Sequence, residues 1–170
     1  MLRAPGPAEV PAALASLVEA GARQYTTHGY GSPVLLVHVA TPPNAMRHVL
    51  PALPNELWPS GFAATWAARA AITVAYAPTQ PHPAHPDAAG PVIEPDELMA
   101  LAARHDDEHV IKLTDTVLDV YARSGDPGVL SAATRCAHLE PPSEASSRPP
   151  SRRQRITASS SPRRRCSICE

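Results

Sequence analysis

Apolar residues recur along this chain at the spacing of an α-helix, and prolines or glycines interrupt them at intervals. This period is typical of amphipathic helices that cover a common core. We therefore predict an all-α fold, an irregular array of five or six helices. The first stripe, within residues 8–25, consists of Val10, Leu14, Leu17, Val18, Gly21 and Tyr25. A later stripe consists of Val110, Leu113, Val117, Val120 and Tyr121.

Two apolar segments are less well defined by their pattern. Residues 33–39 form a continuous apolar run around His38, which fits a buried strand or a short buried helix equally well. The stretch from Ser60 to Tyr76 has helical spacing, with Phe62 and Trp66 on one face and alanines around them. Because this helix is apolar almost all round, we expect it to be buried on several sides.

Charge divides the 170-residue chain into an acidic body and a basic tail. Residues 1–147 carry 8 basic against 15 acidic side chains, whereas residues 148–170 carry 7 arginines and 1 glutamate. From Ser143 onward the composition is Ser, Pro and Arg without apolar periodicity, which predicts disorder. We expect one helical domain over residues 8–142 and a disordered tail over 143–170. The tail has no aromatic residues for base stacking, so specific nucleic-acid recognition is not expected.

The sequence gives little indication of a targeting signal or of a chemical role for its cysteines. Prolines interrupt the N-terminus before any apolar signal region can form, and no apolar run approaches the roughly 20 residues that span a bilayer. We expect a cytoplasmic protein without a membrane partner. Cys166 and Cys169 form a lone C-x-x-C, and three cysteines do not make a disulfide framework.

The densest group of titratable side chains lies between His105 and Lys112. If one helix runs through it, His105, Glu108, His109 and Lys112 share a face. That arrangement spells H-x-x-E-H, in which two histidines bind zinc and the glutamate activates water, as in a metal-dependent hydrolase. If Asp107 instead caps a new helix, His105 lies outside it and the chelating geometry is lost. A Glu108–Lys112 ion pair is the purely structural interpretation.

His38 is a second candidate because it lies inside an apolar run. One interpretation is a buried neutral histidine whose ring is satisfied by a carbonyl or by the hydroxyl of Thr41. The other is a general acid or base that lines an apolar cavity. No glycine-rich dinucleotide-binding or phosphate-binding loop occurs in the sequence.

Several of these segments together resemble the C-terminal part of questin oxidase-like proteins, over residues 8–142. They are His38-Val39-Ala40-Thr41, Pro43-Asn44-Ala45, Leu50-Pro51-Ala52-Leu53-Pro54, Trp66 and the run from His105 to Thr114, within which Asp107-Glu108-His109-Val110-Ile111-Lys112 is the most specific. The resemblance implies a largely helical fold. It also implies an oxidoreductase that uses NADPH and dioxygen for Baeyer–Villiger-type oxygen insertion into an anthraquinone-like substrate.

We expect His38, His105 and His109 to line an apolar pocket for an aromatic or polyketide-like substrate. His109 would transfer the proton, Glu108 would orient His109 or neutralise its cation, and Lys112 would stabilise a developing oxyanion or enolate. The resembling proteins are longer, and their N-terminal half has no counterpart here, so a truncated, non-catalytic helical module is the alternative. A metal-dependent hydrolase on His105 and His109 is the third. The sequence leaves metal binding and the oligomeric state open.

Overall fold

The computed structural model describes residues 4–82 and 93–140, and within these ranges it contains helices and turns but no strand. The predicted all-α class is confirmed. Six helices have nine residues or more, and one has five. The helices are α1 (Val10–His28), α2 (Pro33–Val37), α3 (Thr41–Val49), α4 (Trp58–Tyr76), α5 (Pro95–His105), α6 (Glu108–Ser124) and α7 (Ser131–Leu139).

Helix α1 lies at the centre and contacts α2, α3, α4, α6 and α7. All six residues of its predicted stripe are buried. On α6 the predicted stripe is buried from Val110 to Val120, and Tyr121 is half-buried. Each large apolar side chain buried in this way contributes about 1.5–3 kcal/mol. Helical periodicity therefore identified the two helices that provide the largest shares of the buried apolar side chains.

The apolar run at residues 33–39 forms the short helix α2 and not a strand. Pro33 occupies the first helical turn, where its missing N–H costs no hydrogen bond. Leu36, Val37 and Val39 are buried in the main core, whereas Leu35 is partly exposed. The helix ends at Val37, so His38 lies at its carboxyl end, at the edge of the core.

Helix α4 is the element whose environment differs most from the sequence-based expectation. We expected burial on several sides, but none of its 19 residues is buried. Phe62, Arg69 and Ile72 face the body of the protein, whereas Trp66 and Val74 are exposed. An apolar helix packs only where neighbouring elements are available, and here α1, α2 and α3 cover one side of it.

Some expectations lie outside the described residues. They include the basic tail from residue 143, its Cys166 and Cys169, and the boundary of the domain at 142. Cys136 is described: it is buried in α7, and burial raises the pKa of its thiol to about 11. Within the described ranges, no helix combines the length and the apolar character that crossing a bilayer requires.

Candidate functional site

The acidic pair Asp106-Asp107 breaks the chain between α5 and α6. Asp106 has a φ of 62°, in the left-handed region that aspartate tolerates better than most residues. The Asp107 carboxylate then caps α6, accepting hydrogen bonds from the backbone N–H groups of His109 at 2.8 Å and Val110 at 3.1 Å. His105 and His109 therefore lie on two different helices, and the chelating geometry of H-x-x-E-H does not form.

His105 is a buried structural histidine that joins α5 to the end of α7. Its Nε2 lies 2.9 Å from the carbonyl oxygen of Glu140 and 3.2 Å from that of Ala137. Because a carbonyl oxygen can only accept, Nε2 carries the hydrogen and donates it. His105 is not among the residues that line the groove described next.

A groove of about 500 Å³ lies between α3 and α6, and several polar side chains line it. Helix α3 contributes one wall and α6 the other, and His38, just beyond α2, also lines the cavity. We call this cavity the α3–α6 groove. Its lining residues are His38, Thr41, Pro42, Asn44, Ala45, His48, Lys112, Asp115 and Thr116. Two of the five residues predicted from the sequence, His38 and Lys112, therefore line it.

His38 is half-buried, and the hydrogen bond of its Nδ1 determines its tautomer. Nδ1 lies 3.1 Å from the carbonyl oxygen of Val34, one turn earlier on α2. The carbonyl oxygen accepts, so Nδ1 is the protonated nitrogen and Nε2 of the neutral ring keeps a free lone pair. The partner is thus a carbonyl group and not the Thr41 hydroxyl, which donates to Val37.

The backbone beside His38 is held by α1 and α4. A Cβ on Gly21 would lie 2.5 Å from the Val39 carbonyl oxygen, so only glycine allows α1 to approach this segment so closely. The same oxygen accepts a 3.1 Å hydrogen bond from Nε of Arg69, whose Nη2 also donates to Gln24. Burial lowers the pKa of Arg69. These contacts fix the position from which His38 enters the groove.

His109 packs behind His38. The ring centroids are 5.7 Å apart and the ring planes meet edge to face at 63°. Only 17% of the His109 side chain is exposed, and its Nδ1 is 3.6 Å from the Asp107 carboxylate, beyond hydrogen-bond distance. His109 is not among the lining residues of the groove. The structure therefore brings His38 and His109 together, and of the two only His38 lines the groove.

Glu108 and Lys112 form an ion pair on the surface of α6. The Nζ–Oε2 distance is 2.6 Å, and the hydrogen bond from Lys112 holds the pKa of Glu108 below its usual value. Lys112 lies at the wall of the groove, whereas Glu108 points to solvent and its carboxylate is 3.8 Å from His109 Nε2. At that distance Glu108 does not orient His109 through a hydrogen bond.

A second polar cluster at the groove was not predicted from the sequence. The Asp119 carboxylate accepts hydrogen bonds from Nε2 of His48 at 2.6 Å and from the buried amide of Asn44 at 2.8 Å. Burial opposes ionisation of Asp119, but these two hydrogen bonds outweigh it and hold its pKa below the usual value. Because Nε2 of His48 donates, its Nδ1 is the free nitrogen. Asn44 and His48 lie one turn apart on α3, a weak signal without Asp119, which is distant in sequence.

Within residues 4–82 and 93–140, no three His, Cys, Asp or Glu side chains are grouped closely enough to hold a metal ion. Comparison of the chain with models of known families, with curated proteins and with solved structures finds no match. The candidate site therefore rests on its own residues: two histidines with one free nitrogen each, a lysine and an aspartate, arranged around the α3–α6 groove.

Proposed function

We propose that the chain binds an aromatic, polyketide-like substrate in the α3–α6 groove and transfers protons there as part of a questin oxidase-like oxidoreductase. The observation that carries the proposal is the tautomer of His38 and its place in the lining of the groove. Its Nδ1 is occupied by the Val34 carbonyl group, its ring lines the groove, and Lys112 lines the same groove. A neutral imidazole beside a cation can take up a proton while the cation stabilises the oxyanion that results.

In this proposal the site residues have separate roles. His38 is the general base, because it is the member of the His38–His109 pair that lines the groove. His109 packs against His38 and limits the orientations of its ring. Lys112 places its ammonium group near a phenolate or enolate oxygen of the substrate. His105 has no direct part, since it is buried and does not line the groove.

The resemblance also implies NADPH and dioxygen. In the overall reaction, one atom of O₂ enters the substrate beside a carbonyl group and the other leaves as water, with two electrons from NADPH. The phosphates of a dinucleotide need a glycine-rich turn, a helix N-terminus or arginines. The start of α3 lines part of the groove, but Pro42 and Pro43 there have no N–H to donate, and the lining contains one lysine and one aspartate but no glycine or arginine. These residues do not fit the dinucleotide, so only the aromatic substrate is placed in the groove.

The alternative is a non-catalytic helical module that binds another protein, and one observation favours it. Helix α4 exposes Trp66 by 52% and Val74 by 86%. Exposed apolar surface on one helix is typical of a site that a partner covers. This alternative and the proposed activity concern different sides of the protein, so they can be tested separately.

The test of the proposed function is His38→Asn, assayed with a hydroxyanthraquinone as the probe. The asparagine amide can still donate to the Val34 carbonyl group, but it has no basic nitrogen for the groove. We expect the probe to bind, and NADPH- and O₂-dependent turnover to fall by about 10²-fold or more. The matched control is His138→Asn, because His138 lies exposed on α7.

Binding is measured by fluorescence titration and turnover by oxygen uptake together with product mass. Turnover by His38→Asn equal to that of the His138→Asn control would refute the role of His38. A wild-type chain that neither binds the probe nor takes up oxygen would refute the proposed function and leave the helical module.

A further inference from the structure

The second polar cluster of the α3–α6 groove has the geometry of a His–Asp dyad. Nε2 of His48 donates to the Asp119 carboxylate at 2.6 Å, so its Nδ1 keeps a free lone pair. The same carboxylate oxygen accepts a 2.8 Å hydrogen bond from the amide of Asn44, which is only 2% exposed. A carboxylate that is itself held in place keeps the histidine ring in one orientation and one tautomer. The His48 side chain is 62% exposed, so a substrate in the groove can reach it.

A hydroxyl group without a partner lies beside this dyad. Thr116 is 3% exposed and lines the groove, and no other residue in the described part of the chain forms a hydrogen bond with its hydroxyl. It lies four residues after Lys112 and three before Asp119 on α6, so the three side chains share one face of the helix. A buried polar group that the fold leaves unsatisfied calls for a partner, and a ligand in the groove would supply one.

We propose that the groove hydrolyses a neutral aryl ester, with His48 as the general base and Asp119 as its positioning residue. Nδ1 of His48 takes a proton from a water molecule as the water oxygen bonds to the ester carbonyl carbon. Lys112 and the Thr116 hydroxyl donate hydrogen bonds to the oxyanion that forms. The bond from this carbon to the phenolic oxygen then breaks, and the His48 imidazolium gives its proton to the departing phenolate. Ester and water become acid and phenol without an oxidant or a cofactor, so the inference does not rest on the proposed oxidoreductase.

The lining of the groove favours a neutral aromatic substrate. Its two formal charges, on Lys112 and Asp115, cancel, so the groove has no net attraction for an anion or a cation. The Lys112 ammonium group gives one of its three N–H groups to Glu108, which leaves two for a substrate oxygen. Pro42 and Ala45 provide an apolar wall for a ring. The volume of about 500 Å³ is typical of sites that bind small molecules.

The experiment is the hydrolysis of p-nitrophenyl acetate by the full chain, without NADPH or an anthraquinone. The wild-type chain should show saturation kinetics, which distinguish a bound substrate from the unsaturable background reaction of exposed histidines. His48→Gln should lower kcat by about 10²-fold or more through loss of the base. Asp119→Asn should lower kcat by a similar factor with KM unchanged, because it removes the charge that stabilises the imidazolium but no group that contacts the substrate. His138→Asn, on the exposed side of α7, is the matched control and should keep the wild-type rate.

Nuclear magnetic resonance of the ring nitrogens tests the dyad without relying on turnover. At about pH 9, where an ordinary histidine is neutral, the signals that disappear in His48→Gln should show a ring protonated at Nε2 and free at Nδ1. Asp119→Ala should give a mixture of both tautomers, and circular dichroism should show that its helix content is unchanged. A wild-type chain without saturable hydrolysis, His48→Gln as active as His138→Asn, or a neutral His48 ring protonated at Nδ1 would each overturn the proposal.

Discussion

Two glycines within helices, Gly21 in α1 and Gly61 in α4, test whether the close approach of α1 to the His38 segment positions the site. Replacing either glycine by alanine in a helix interior gains about 0.5–1 kcal/mol of stability. The two positions differ in what the added Cβ meets. At Gly21 it meets the backbone of Val39 and Ala40, at 2.5 to 3.0 Å. At Gly61 it meets the terminal methyl group of Met46, a flexible side chain that can move aside.

The magnitudes follow from this difference. Overpacking against a fixed backbone costs about 1–3 kcal/mol, which exceeds the gain in helix propensity, so Gly21→Ala should be destabilised. Gly61→Ala should be as stable as the wild-type protein or more stable. The gap between the two variants is then about 1–3 kcal/mol, or about 3–9 °C in Tm for a chain of this length.

The assay is urea unfolding monitored by circular dichroism, with all samples at one protein concentration. The midpoints should separate while the slopes stay equal. Gly21→Ala should also weaken binding of the anthraquinone probe, because displacement of Val39 moves His38, whereas Gly61→Ala should not. If Gly21→Ala proves as stable as Gly61→Ala, the approach of α1 does not constrain the site and the reasoning is wrong.

Three further predictions concern α6. Asp107→Ala should lower the free energy of unfolding by about 1 kcal/mol in urea melts through loss of the cap, with Asp107→Ser retaining most of the stability. Burial opposes ionisation of Asp119, but its hydrogen bonds hold its pKa below the usual value. The ionised carboxylate therefore stabilises the fold fully above the ordinary aspartate pKa of about 3.9, and this stabilisation is lost as the pH falls through the lower pKa of the folded state. Acid titrations should show a shallower loss in Asp119→Asn, and equal acid profiles would contradict this. Glu108→Gln should leave the midpoint of urea unfolding unchanged at high salt, because salt screens the exposed ion pair between Glu108 and Lys112.

The helices could be predicted where the pattern that indicates them, the spacing of apolar residues, is local in the sequence. The stripes of α1 and α6 lie at helical spacing, and burial follows from that spacing alone. The environment of α4 was not predictable, because a helix that is apolar all round shows no preferred face in its sequence. Which face packs depends on where α1, α2 and α3 lie, and this is decided by the whole fold.

The break between His105 and His109 was one of two alternatives that the sequence left open. The spelling H-x-x-E-H describes side chains on one continuous helix, but Asp107 is a strong capping residue and its preference prevails here. The Glu108–Lys112 ion pair, which the spacing of the two residues on one helix also predicts, does form. The contact of His48 with Asp119 spans 71 positions, and nothing local indicates it.

The hydrogen bonds of the four histidines of this region, His38, His48, His105 and His109, distinguish their roles more clearly than their positions in the sequence do. Nε2 of His105 donates to two carbonyl groups at the end of α7, and His105 does not line the groove. His109 supports the ring in front of it. His38 and His48 each donate through one nitrogen to an oxygen that can only accept, and both line the groove. A histidine fixed by one nitrogen keeps the other for chemistry. Under the proposed function, His48 is therefore a second candidate for proton transfer beside His38.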